Sequence, residues 1–173
     1  MRLFFCIDPP AALQRQINTL CPRLKGVRPT PPEQLHLTLL FLGEQPDDIL
    51  AEVTQPLQEL SFAPMEVEFD TVGHFRSGVI WLGIKPNPPL IRLQKKLHNL
   101  LSQQGFQLEQ RKFKPHITLA RCKTRLTPHL MQSFTQAFEE QHFCFRTDHL
   151  LLKSSELTEK GAIHRTEAEW LAG

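Results

Sequence analysis

No apolar run in the chain approaches the ~20 residues that a membrane-spanning helix needs. Residues 3 to 7 are apolar, but Asp8, Pro9 and Pro10 cut that run short of the apolar region of a signal peptide. The four cysteines, Cys6, Cys21, Cys122 and Cys144, have no C-x-x-C spacing, so no zinc site is indicated and they read as reduced thiols of a cytoplasmic protein. H-E-x-x-H and dense Asp/His clusters are missing too, so no metal and no cofactor are expected. Strong charge of one sign is also lacking: 20 Lys+Arg and 18 Asp+Glu leave a net +2 over 173 residues. That length fits one domain spanning 1–173, or two small lobes of about 1–88 and 89–173 sharing one core, with strand exchange between them allowed.

The near-neutral total hides an asymmetry. Residues 1–88 carry 7 Lys+Arg against 10 Asp+Glu, a net −3, whereas residues 89–173 carry 13 against 8, a net +5. Lys95 and Lys96 fit an ordinary solvated helix face. The cluster from Arg111 to Arg125 brackets a motif and suits a polyanion.

What the chain does contain is one pattern twice, His36-Leu37-Thr38-Leu39 and His116-Ile117-Thr118-Leu119. Side chains alternate along a strand, so His36 and Thr38 share one face and the neighbouring leucines take the other; His116 and Thr118 repeat the arrangement. A His and a Thr on an inner surface need partners or a wet cleft, and two such strands facing each other would build one site from two motifs. A third match, His164-Arg165-Thr166, has a charged middle residue followed by Glu167 and lacks the buried face. His74, His98, His129, His142, His149 and His164 have no matched partner and read as surface or locally hydrogen-bonded residues, with His74-Phe75-Arg76 placed for a cleft rim.

Periodicity predicts a strand over residues 3–7 and a helix to about Leu20 with Asp8 as N-cap. A proline-rich loop leads to the first motif strand, which Gly43 ends, and a helix from about Pro46 to Leu60 follows. Met65 to Val72 and Val79 to Ile84 read as a hairpin, Leu90 to Gly105 as a helix, and Thr127-Pro128 as the start of a helix to about Gln141. Phe143 to Lys153 and Ile163 to Leu171 read as closing strands. Strands and helices interleave without the uniform alternation of a parallel sheet, so the expected class is α+β: two pseudo-two-fold lobes of antiparallel sheet with flanking helices and a cleft between them.

The runs from His36 to Glu44 and from Pro115 to Arg121 resemble the paired signatures of the 2H phosphoesterases, and within them the bacterial RNA 2′,3′-cyclic phosphodiesterases, also called 2′-5′ RNA ligases. Arg2 to Asp8, Val79 to Gly83 and Ser154 to Leu157 extend the likeness over nearly the whole chain. The resemblance implies metal-independent opening of RNA 2′,3′-cyclic phosphate ends to 2′-phosphates, with His36 and His116 as general acid and base and Thr38 and Thr118 as donors to the phosphate. It also implies Arg121 as a phosphate contact, Phe41 near the nucleobase, reversible 2′-5′ joining, and a monomer whose partner is RNA or an oligonucleotide, without membrane or obligatory protein partner. Strict alternation puts Arg121 and Phe41 on the side opposite the histidines, so each needs a bulge or a strand end to swing inward. Two other readings stay open: a non-catalytic RNA- or nucleotide-binding module, and a phosphoesterase for small cyclic nucleotides such as an ADP-ribose cyclic phosphate.

Overall fold

The structure, a computed structural model, describes residues 1–173. In chain order it contains β1 (Arg2–Ile7), α1 (Ala11–Leu20), β2 (Val27–Pro29), β3 (Leu37–Glu44), α2 (Leu50–Thr54), β4 (Met65–His74) and β5 (Val79–Ile84). Then follow α3 (Pro88–Gln103), β6 (His116–Cys122), α4 (Pro128–Phe138), β7 (Cys144–Thr147), β8 (His149–Thr158) and β9 (Gly161–Leu171). The strands form an antiparallel sheet ordered β7-β4-β5-β6-β3-β1-β8-β9, with β2 added beside β6. This is the α+β class the sequence predicts. The two motif strands, β3 and β6, are neighbours at its centre. Each follows a strand and a helix in the chain: β1-α1 before β3, with the short β2 intervening, and β5-α3 before β6.

One face of the sheet is covered. Leu3, Phe5 and Ile7 of β1, Leu37 of β3 and Ile117 of β6 are buried in one contiguous core with Ile17 of α1 and Leu90, Leu97 and Leu101 of α3. Phe134 of α4 joins them. The α3 stripe follows the spacing read from the sequence, and its start is secured by Asn87, whose side chain accepts from the Leu90 N–H at 3.1 Å, with Pro88 and Pro89 in the first turn. Thr127 caps α4 in the same way, at 3.2 Å to the Leu130 N–H.

Several elements differ from expectation for identifiable reasons. Asp8 does not cap α1, which begins behind Pro9-Pro10 without a side-chain cap; its carboxylate instead meets the Lys153 ammonium at 2.6 Å. The helix expected from Pro46 to Leu60 shrinks to Leu50–Thr54 followed by a tighter 3₁₀ turn at Gln55–Leu57. Pro56 supplies no N–H and its ring conflicts with the carbonyl four residues back. The loop before the first motif contains β2 and a 3₁₀ turn at Pro32–Gln34.

The strand expected over Phe143–Lys153 is two strands. β7 pairs with β4 and β8 with β1, so strands separated only by Asp148 have five other strands between them in the sheet order. A flat sheet cannot do this, since two consecutive Cα steps span at most ~7.6 Å. The sheet therefore curls, bringing its β7 edge round to β8.

Candidate active site

The site is built on the junction of β3 and β6. A single residue pair bridges them, Leu37 opposite Ile117, both fully buried on the core face. In an antiparallel pair this register sets His36 across from Thr118 and Thr38 across from His116. All four are half-buried on the opposite face, so the structure brings the two motifs together. The two histidines are diagonal neighbours, for which regular pairing gives about 7–8 Å. That backbone spacing sets both imidazoles on one face of a single strand junction.

Each ring is held in the same way. The Nδ1–H of His36 donates to the Gln34 carbonyl at 2.6 Å, and that of His116 to the Lys114 carbonyl at 2.7 Å. A carbonyl only accepts, so each Nδ1 carries the hydrogen and each neutral imidazole keeps its lone pair on Nε2. Local sequence prepares both carbonyls: Gln34 ends the 3₁₀ turn, and Lys114 precedes Pro115, which restricts it to extended conformations.

Both motif strands then break phase at the same point. Phe5 pairs with Leu40 and Cys6 with Thr38, which leaves Leu39 as an extra residue in β3; Ile80 pairs with Ala120 and Trp81 with Thr118, which leaves Leu119 extra in β6. Across each bulge two consecutive residues are buried, Leu39 with Leu40 and Leu119 with Ala120, and the alternation resumes inverted. Phe41 and Arg121 consequently emerge on the histidine face, Phe41 at 59% exposure and Arg121 also exposed. The swing that the sequence demanded is made by duplicated bulges.

The surroundings of the two rings differ. His36 packs against Phe4, at 5.0 Å between centroids, and edge-on against His164 at 5.4 Å; Phe4 in turn touches Phe41 at 6.2 Å. His116 packs edge-on against Phe75 at 5.2 Å and against Trp81 at 6.1 Å. Burial pushes the His36 imidazole down to about 4, although the Gln34 hydrogen bond opposes it. Burial also lowers His116, again opposed by its backbone hydrogen bond and reinforced by the nearby Lys114 ammonium.

The sequence offers His164 no matched partner, whereas the structure packs it against His36. The β8–β9 hairpin carries it to His36; the hairpin tip is held by Arg28, which donates to the Lys160 carbonyl at 3.0 Å, and by Gln34, which donates to the Ala162 carbonyl. The only two buried side-chain polar atoms without a partner in the protein are Trp81 Nε1 and His164 Nδ1, and both belong to rings packed on the motif histidines. Buried polar atoms without a partner are rare, and nothing in the local sequence around His164 or Trp81 announces them. A cavity of about 540 Å³ includes none of the six residues singled out in the sequence in its lining; Arg2, Glu44, Asp47 and Arg165 are among the residues that line it.

The chain that carries this site has relatives among known proteins. A family model described as the 2′-5′ RNA ligase superfamily matches residues 9–157, and the chain belongs to that family, the two-histidine phosphoesterases its motifs resemble. The RNA 2′,3′-cyclic phosphodiesterase of Archaeoglobus fulgidus is 33% identical over 95% of this chain and 97% of its own length. The protein of the same name from Escherichia coli K12 is 39% identical over 69% of this chain and 71% of its own length. Among solved structures, Escherichia coli LigT complexed with 3′-AMP superposes with a TM-score of 0.81 at 26% identity, covering 99% of this chain and 97% of that one. No helix here is long and apolar enough to cross a membrane.

Proposed function

We propose that the protein hydrolyses RNA 2′,3′-cyclic phosphate ends to 2′-phosphomonoesters. One observation carries the reading: two imidazoles, each with Nδ1–H tied to a backbone carbonyl, stand diagonally across one strand junction with a threonine opposite each. The cyclic phosphate lies between the rings. The neutral Nε2 of one histidine takes a proton from water as the water oxygen attacks phosphorus; the P–O3′ bond breaks, and the Nε2–H of the other, protonated histidine gives its proton to O3′. The Thr38 and Thr118 hydroxyls donate to the non-bridging oxygens and Arg121 adds a fixed positive charge. Phe41 offers an exposed ring to the nucleobase. With an RNA 5′-hydroxyl in place of water the same steps give a 2′-5′ linkage. The curated relatives' names and the adenine nucleotide in the LigT complex support the substrate class.

The test is an oligoribonucleotide with a 2′,3′-cyclic phosphate end, incubated in chelator with the end analysed enzymatically. Wild type opens the ring to a 2′-phosphate; His36→Ala and His116→Ala each lose about 10³-fold in kcat. Full activity in either variant removes that histidine from the mechanism. RNA binding that is salt-sensitive and indifferent to both histidines, without turnover, would instead select the binding-module reading.

A further inference from the structure

The side of the site around His116 holds a cation for which the single-phosphate mechanism has no use. Lys114 Nζ lies 4.4 Å from the Trp81 ring centroid and 5.6 Å from that of Phe75. The two rings are 5.6 Å apart and both pack on His116. Trp81 is itself seated tightly: a Cβ on Gly73 would come within 2.3 Å of the indole and one on Gly83 within 3.2 Å, so glycine at both places lets the ring lie against the backbone. Trp81 pairs with Thr118 and so shares its face. An ammonium over such a platform is held by the ring quadrupoles without being neutralised.

Nothing else neutralises it. The ion-paired cations are the N-terminus, Arg2, Lys85, Arg146, His149, Lys153 and Arg165; no basic residue from Arg111 to Arg125 has a carboxylate within 4.0 Å. Two residues along an extended chain is about 7 Å, which places Lys114 one step beyond His116 along the same face. A cation one step from a site for the terminal phosphate, and free of any carboxylate, is placed for a second phosphate.

We propose that Lys114, positioned by Phe75 and Trp81, binds the phosphodiester that joins the terminal nucleotide to the rest of the RNA. This subsite makes the enzyme prefer oligonucleotide ends to mononucleoside 2′,3′-cyclic phosphates. The inference rests on the hydrolase reading and deepens it. The reactive phosphate belongs to the histidines and threonines; Lys114 reads whether a chain is attached.

The experiment compares kcat/KM for a cyclic-phosphate-ended dinucleotide and for the matching mononucleoside cyclic phosphate across a salt series. Each protein is assayed on the plateau of its own pH profile, because removing Lys114 also raises His116. Wild type favours the dinucleotide. Lys114→Met lowers the dinucleotide-to-mononucleotide ratio about 10-fold through KM, and the log–log salt slope of dinucleotide KM falls by about 0.7, the value for one single-strand phosphate contact. Phe75→Leu, which keeps apolar bulk and removes the ring, lowers the ratio less. A wild-type enzyme that treats the two substrates alike, or a Lys114→Met variant that loses equally on both, overturns the subsite. Failure of wild type to open either substrate sinks the hydrolase reading itself, which separates the two outcomes.

Discussion

The His36 and His116 sides of the site share a backbone and differ in almost everything placed on it. Both have a ring tethered through Nδ1 to the carbonyl two residues earlier, a threonine across the strand junction, and an extra residue that turns a later side chain inward. Around His36 the neighbours are the buried Phe4, His164 and, next to them, the enclosed Lys153–Asp8 pair, and the inward-turned residue is the apolar Phe41. Around His116 they are Phe75, Trp81 and Lys114, and the inward-turned residue is Arg121. The main-chain geometry of the two sides is thus alike, and the asymmetry lies in the side chains, which in the proposed reaction would give the RNA end its direction.

That contrast can be broken at graded cost. The largest effects after the histidines fall on the shared parts: Thr38→Val and Thr118→Val each lose about 10²-fold in kcat, with Thr→Ser recovering most of it, as for removal of one donor to a developing charge. A much larger loss at one threonine than at the other would mean that the two sides are not equivalent even at the phosphate. The next effect separates the sides. Arg121→Ala costs about 30-fold in kcat/KM, the range of a hydrogen bond to a charged group, whereas Phe41→Ala costs about 3-fold, chiefly in KM; steady-state kinetics on one RNA end reads both.

Stability gives a finer contrast on the His36 side. Lys153 is 7% exposed in its side chain and Asp8 27%. Asp8→Ala strands an enclosed ammonium and costs about 3 kcal/mol; Lys153→Met leaves a carboxylate that water reaches and costs about 1 kcal/mol. Urea unfolding at pH 7 orders the two, and equal losses would show the carboxylate to be as enclosed as the amine. The smallest effect is on pH dependence. The folded state holds His36 at about 4, below the usual 6.5, so the unfolded chain binds the extra proton in that window. The stability linked to a neutral His36 is fully present above pH 6.5 and is lost as pH falls towards about 4. His36→Gln removes more of that acid sensitivity than His116→Gln, as compared by urea midpoints at pH 7 and pH 5.

Much of this was legible in the residues because strands advertise themselves by period two. His36, Thr38, His116 and Thr118 share faces by alternation alone, α3 shows in the helical spacing of its leucines from Leu90, and α4 announces its start with Thr127-Pro128. The bulges could be demanded but not located, since an extra leucine among leucines leaves no compositional trace. The division of 143–153 at Asp148 was hidden because both pieces are strands, and only the curl of the sheet separates their partners. Asp8 looked like a cap because it precedes prolines and a helical stripe; the ammonium that claims it lies 145 residues away in the chain. His164 arrives by the same route, on a hairpin whose tip is secured to Arg28 and Gln34 from the other end of the sequence.

The paired bulges carry one consequence for how such a protein tolerates change. Leu39 and Leu119 act through residue count and not through side-chain chemistry, so an apolar replacement at either leaves the ligand's surroundings as they are. Deleting either would rotate everything downstream by half a period, sending the Arg121 guanidinium or the Phe41 ring into the oily interior and a core side chain out to solvent. Insertions and deletions here are therefore far more damaging than substitutions.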